Sequence, residues 1–176
     1  MKKNISLWQL MGFALTSLGG TVLHFLFEWL GKPVWIAPFS GVNESTWEHM
    51  KLFFWPAFVF ALFQSFFFRG RKDFWCVKLY GIALGLAFIP IAFYTYNGVI
   101  GKSPDWVNIA IFFIAAALSY ISETKLFREE RIGCQKPKLA LLSLLLIAVL
   151  FVAFTFYTPK FEIFKDPITG MYGMHS

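Results

Sequence analysis

Asn43-Glu44-Ser45-Thr46-Trp47-Glu48-His49, then Met50 and the run Lys51-Leu52-Phe53-Phe54-Trp55-Pro56-Ala57-Phe58-Val59-Phe60-Ala61-Leu62-Phe63-Gln64-Ser65-Phe66-Phe67-Phe68, decides how this chain is read. The apolar part approaches the roughly 20 residues that a bilayer-spanning helix needs. Four more runs resemble it, at 7–30, 75–96, 106–121 and 139–157. With 57% hydrophobic and only 15% charged residues in 176, and a mean hydropathy of +0.60, a soluble domain of this size is excluded. The expectation is an all-α integral membrane protein: one transmembrane domain over residues 1–176, a five-helix bundle with spans at 7–30, 51–68, 75–96, 106–121 and 139–157 and a C-terminal tail at 158–176. The first run is long for a signal peptide, carries His24 and Glu28, and is followed by Lys32-Pro33 rather than a small-residue cleavage site, so it is read as a span.

Lysine and arginine near span ends are retained on the cytoplasmic side. One set of connections holds Lys2, Lys3, Arg69, Arg71, Lys72, Lys78, Lys125, Arg128, Arg131, Lys136 and Lys138, eleven in all; the other holds the five Lys32, Lys51, Lys102, Lys160 and Lys165. This places the N-terminus in the cytoplasm and the C-terminus outside. The net charge of +6 then reflects topology and contact with anionic lipid heads. Nucleic acid is excluded as a partner, because no basic patch interleaved with exposed aromatics lies on a soluble surface. Cys76 and Cys134 have no CxxC or metal-type spacing and fall on the cytoplasmic side, so they read as two reduced thiols. Gly81-x-x-x-Gly85 and the small residues Ala115, Ala116, Ala117 and Ser119 read as helix-packing faces, and Glu123 as an interfacial ion pair with Lys125.

Ionisable groups beside a bilayer mark a site before anything else does. On the first span Ser17, Thr21, His24 and Glu28 share one stripe, since about 100° per residue returns i+4, i+7 and i+11 to one side of a helix. Glu44 and Glu48, four apart, share a face of the second span, with His49 about 100° away. Ser45-x-x-Glu48 fits a capping box and Asn43 an N-cap, which accounts structurally for part of the heptad. The candidate ligand-binding residues are His24, Glu28, Asn43, Glu44, Glu48 and His49. The candidate metal ligands among them are His24, Glu28, Glu44 and His49, because imidazole with carboxylate suits Zn, Mn or Fe. A hydrogen-bonded cluster that pins helix one to helix two needs no metal, and a proton- or ligand-handling role is the third alternative. Tyr94, Tyr96, Asn97, Asp105, Asn108 and Tyr157 reach the same face, and the tail, with its Asp166-Pro167 and glycines, is long enough to fold over it as a lid.

Phe39-Ser40-Gly41-Val42-Asn43-Glu44-Ser45-Thr46-Trp47-Glu48-His49-Met50-Lys51, with His24-x3-Glu28-Trp29 before it and Asp166-Pro167-x-Thr169-Gly170-x-Tyr172-Gly173 at the end, resembles a family of small bacterial multi-pass membrane proteins of unknown function with an N-E-S-x-W-E-H-x-K motif. The resemblance covers the whole chain and implies a bacterial cell (inner) membrane location, with no activity to carry over. Lys32-Pro33-Val34-Trp35-Ile36-Ala37-Pro38 is similar to the first loop of the tryptophan-rich sensory proteins, which bind tetrapyrroles or sterols within five membrane helices; the acidic heptad departs from their pattern.

These readings leave a polar His/Glu pocket at the extracytoplasmic face that binds a small, hydrophobic ligand or an ion. The alternatives are a metal-dependent membrane hydrolase with a Glu as general base and the histidines as ligands, a structural or regulatory membrane subunit, and a tetrapyrrole or sterol binder. No catalytic residue is assigned. The lipid bilayer is the one partner the sequence names; it leaves the oligomeric state open.

Overall fold

The computed structural model describes residues 4–129 and 133–174; Lys2, Lys3 and Arg131 of the charge count and His175 of the tail lie outside them. The chain forms α1 (Ile5–Trp29), α2 (Thr46–Phe67), α3 (Phe74–Val99), α4 (Asp105–Glu129) and α5 (Pro137–Phe156), then one 3-10 turn at Glu162–Phe164. All five helices are long and apolar enough to cross a membrane. Among the described residues no strand forms, only an isolated antiparallel bridge between Lys165 and Tyr172.

Polar caps set the helix limits further out than hydropathy does. α1 begins where the Asn4 side chain accepts a hydrogen bond from the Leu7 amide. α2 begins at Thr46 rather than at 51, because Ser45 caps it. The second half of the polar heptad is therefore helix. α4 continues to Glu129 rather than stopping at 121, since Glu123 and Phe127 of its last turns are buried, Glu123 1% exposed.

α1 packs against α2 and α4, and α3 against α2, α4 and α5, giving a four-helix arrangement with α5 laid mainly on α3. The core is aromatic, built on Phe53, Phe54, Phe58, Phe112 and Phe151 with Leu52, Ile82 and Leu144. Gly85 admits it: a Cβ there would overlap the Phe53 ring. Large apolar side chains left exposed, among them Leu18, Val59, Ile91, Leu142 and Val149, run along the outside of the bundle.

Two sequence readings are corrected at the end of the bundle that carries the N-terminus. Glu123 does not pair with Lys125. Its partner is Lys78 of α3, 2.5 Å away with both side chains about 1% exposed, and Gln9 of α1 accepts a further bond from the Lys78 ammonium at 3.4 Å. The rings of Phe60, Phe74, Tyr120 and Phe127 surround that ammonium, each centroid within 6.0 Å. Gly81 belongs to this pair, because a Cβ on it would collide with the Glu123 carboxylate. Cys76 and Cys134, read as separate thiols, form a disulfide that ties the first turn of α3 to the segment between α4 and α5, their Cα atoms 5.9 Å apart. Distance in the chain hid both contacts; helix packing creates them.

At the opposite end, residues 31–45 turn back into the bundle. Ala37 and Ser40 are fully buried, and the Ala37 and Pro38 carbonyls accept bonds from the Lys51 ammonium and the Trp55 indole. The tail also folds over this end. Phe164 stacks near Trp47, their centroids 4.6 Å apart, and the Asn43 side-chain amide donates to the Gly173 carbonyl at 2.9 Å. Asp166 shapes the tail by accepting from the Ile168 amide and the Thr169 hydroxyl.

Candidate functional site

Three side chains meet where α1, the 31–45 segment and α2 converge. The one from α1 is His24, held in place by an unusual neighbour. The buried Ser40 hydroxyl inserts into the α1 ladder, donating to the Leu23 carbonyl and accepting from the Phe27 amide at 2.9 Å, while the Gly41 amide bonds the same Leu23 carbonyl. A side chain in the ladder replaces one helical bond and fixes the segment against the helix. His24 sits between those two positions.

The same segment brings in Glu44, and the cap of α2 brings in His49. Asn43 accepts a bond from the Ser45 amide, and Ser45 accepts one from the Glu48 amide at 3.4 Å, the serine half of a capping box. The glutamate half is missing. Glu48 instead accepts from the Val42 amide at 3.0 Å and pairs at 2.6 Å with Lys51, whose ammonium also bonds Ala37 and Thr155. Both Glu48 and Lys51 are buried. Their ion pair closes the base of the loop on α2 and α5, so a charge that costs much to bury is matched and hydrogen-bonded on every side.

Glu44 lies between the two histidines: its carboxylate oxygens are 3.7 Å from His24 Nε2 and 3.6 Å from His49 Nε2. One ligand atom from each of the three residues lies within 4.8 Å of the others. His49 is oriented by its other nitrogen, Nδ1, 3.0 Å from the Ser45 carbonyl oxygen. A carbonyl can only accept, so Nδ1 carries the proton and a neutral ring turns the Nε2 lone pair toward Glu44. Two acceptors then face each other across the cluster. A cation between them resolves that contact, either a proton on an imidazole or a metal ion, and a backbone carbonyl on the far nitrogen is the usual outer support of a metal-ligating histidine.

Beside the cluster is a cleft of about 450 Å³. Gly20 and Phe25 of α1, Leu52 of α2, Ile109, Phe112 and Phe113 of α4 and Ile168 of the tail give it apolar walls, and Thr21, Asp105 and Asn108 line it together with His24, Glu44 and His49. The volume falls in the range of small-molecule sites.

The six sequence candidates therefore separate. His24, Glu44 and His49 converge. Glu28 is exposed a turn beyond His24 and does not join the cluster, Glu48 turns inward to Lys51, and Asn43 holds the tail. Asp105 and Asn108 line the cleft, whereas Tyr94, Tyr96 and Tyr157 are not among its walls. Sequence reasoning missed Ser40 and the apolar walls; a serine among aromatics carries no periodic signal, and a cleft wall looks like any core residue.

A family described as one of unknown function, DUF6512, matches residues 1–174. The chain belongs to that family. No curated protein and no solved structure matches it significantly. The family, of unknown function, covers nearly all of the chain and gives no activity for the cleft.

Proposed function

We propose that this chain is an integral protein of the bacterial cell membrane that binds a divalent transition-metal ion through His24, Glu44 and His49 and offers the ion's open position to a small ligand in the adjoining cleft. The observation that carries the reading is the convergence of His24, Glu44 and His49, one ligand atom of each within 4.8 Å of the others, with His49 Nδ1 fixed on Ser45. Tetrahedral bonds of about 2.0–2.2 Å place ligand atoms roughly 3.3–3.5 Å apart. The 3.7 and 3.6 Å separations run to different oxygens of Glu44, and single ligand atoms of the three residues lie within 4.8 Å of one another, so closing on an ion takes side-chain rotation as well as contraction. Three protein ligands leave a fourth position for solvent or substrate.

Membrane insertion is supported by the five apolar helices and their exposed apolar sides. The charge bias supports a cytoplasmic N-terminus, and it survives the removal of two buried lysines, Lys78 and Lys51, one from each side. The site then faces outward and the Cys76–Cys134 bond faces the cytoplasm, where most disulfides are transient.

Metal analysis with an absorption spectrum on the purified protein tests this. About one zinc, manganese or iron per chain, lost in His24→Ala and His49→Ala, is the expected result. Full occupancy in both variants, or no metal in the wild type, refutes it; a visible band without metal would point to a tetrapyrrole. A hydrolase is the second reading, favoured by the open position and by Asp105 in the lining of the cleft: a metal-bound water is a nucleophile near neutral pH, and a carboxylate could take its proton.

A further inference from the structure

The cleft beside the cluster lies at the seam between α1 and α4. Phe25, Ile109 and Phe113 line it, yet they are 45%, 57% and 38% exposed on the outside of the bundle. Its floor is tight, since a Cβ on Gly20 would overlap Phe112 and come within 3.0 Å of the Leu52 carbonyl. Toward the N-terminal end the seam is closed by the 2.7 Å bond between the Thr16 and Tyr120 hydroxyls. A bundle immersed in lipid would thus expose this cleft sideways to one leaflet, with the polar cluster at headgroup depth and apolar walls running below it. That is the shape of an amphiphile's site.

Charge narrows the choice of amphiphile. A divalent ion on His24, Glu44 and His49 carries one more positive charge than Glu44 cancels, so its open position favours an anionic oxygen. Two further carboxylates are at this end, Asp105 on the wall of the cleft and Glu28, outside its lining, exposed one turn outward of His24. They repel a purely anionic head and attract a cation placed a few atoms from that oxygen. We propose, building on the metal reading, that the cleft takes a zwitterionic phospholipid of the ethanolamine type from the surrounding leaflet. The phosphate oxygen ligates the metal ion, the ammonium lies against Asp105 and Glu28, and the upper part of one acyl chain lies along Phe25, Ile109 and Phe113.

The test uses the full-length protein in a maltoside detergent, with zinc, manganese and iron measured in every sample, titrated calorimetrically with dihexanoyl phosphatidylethanolamine and dihexanoyl phosphatidylglycerol. The ethanolamine lipid is expected to bind about fivefold tighter, the worth of two rim charge contacts. Chelation of zinc should abolish binding, Asp105→Asn should shrink the preference, and Ile109→Trp, which fills the cleft from an exposed position, should block both lipids while zinc is retained. Stoichiometric zinc with equal binding of the two lipids, or with none, overturns this inference and leaves the metal site standing. Absence of zinc, manganese and iron alike overturns the metal site and this inference together. Lipid binding that survives chelation overturns the phosphate contact.

Discussion

His49 shows how one hydrogen bond sets the chemistry of a residue. With Nδ1 committed to Ser45, only Nε2 is left to face Glu44, so whatever cation sits there is competing with a proton for one lone pair. Bound zinc should therefore leave as the pH is lowered, because a ligating nitrogen must be deprotonated, and return on neutralisation. Zinc release followed with a colorimetric chelator checks the direction; retention at the lower pH would argue against imidazole ligands. Ser40 is the second decisive residue. In Ser40→Ala the Phe27 amide loses its partner in a buried place, which costs about 1–3 kcal/mol, while the Leu23 carbonyl keeps the Gly41 amide. Because His24 sits within that turn, weaker zinc binding should accompany the lower Tm.

Between helices, two buried ion pairs act as struts, Glu48 with Lys51 at the site and Lys78 with Glu123 at the other end. Removing one partner of the second pair leaves an uncompensated buried charge, so Lys78→Met or Glu123→Leu alone should cost about 3–5 kcal/mol, while the two together should recover most of it. Thermal unfolding of the four proteins in one detergent measures the cycle, and additive losses would show that the pair is not coupled. The Cys76–Cys134 bond can be tested at the same scale. Alkylation of intact cells with a membrane-permeant maleimide should leave both cysteines unlabelled before reduction and label both after it. Labelling of both before reduction would show that the bond does not stand in the cell.

For the molecule as a whole, the tail is what closes the site end. Phe164 packs on Trp47, Asn43 holds Gly173, and Ile168 reaches the cleft. Truncation after Tyr157 should lower Tm, red-shift the tryptophan emission as Trp47 meets solvent, and speed zinc exchange without removing any of the three ligands. Unchanged emission and exchange would mean that the tail does not cover the site.

The number of helices and the end at which polar residues gather were legible in the sequence, because hydropathy and the polar heptad depend only on neighbours along the chain. Helix limits were less so: Ser45 and Glu123 lie where hydropathy ends but capping and burial continue. His24, Glu44 and His49 could be named from their types, yet nothing in their spacing separated them from Glu28 and Glu48. That separation depends on which way each side chain turns once α1 and α2 are packed, with Ser40 in the α1 ladder and Lys51 drawing Glu48 inward. The sequence by itself determined five apolar helices and a polar end, through short-range pattern. Only the tertiary structure decided the three-residue cluster, its cleft, the Lys78–Glu123 strut and the Cys76–Cys134 bond, because each joins residues whose distance in space is set by packing and not by their separation in the chain.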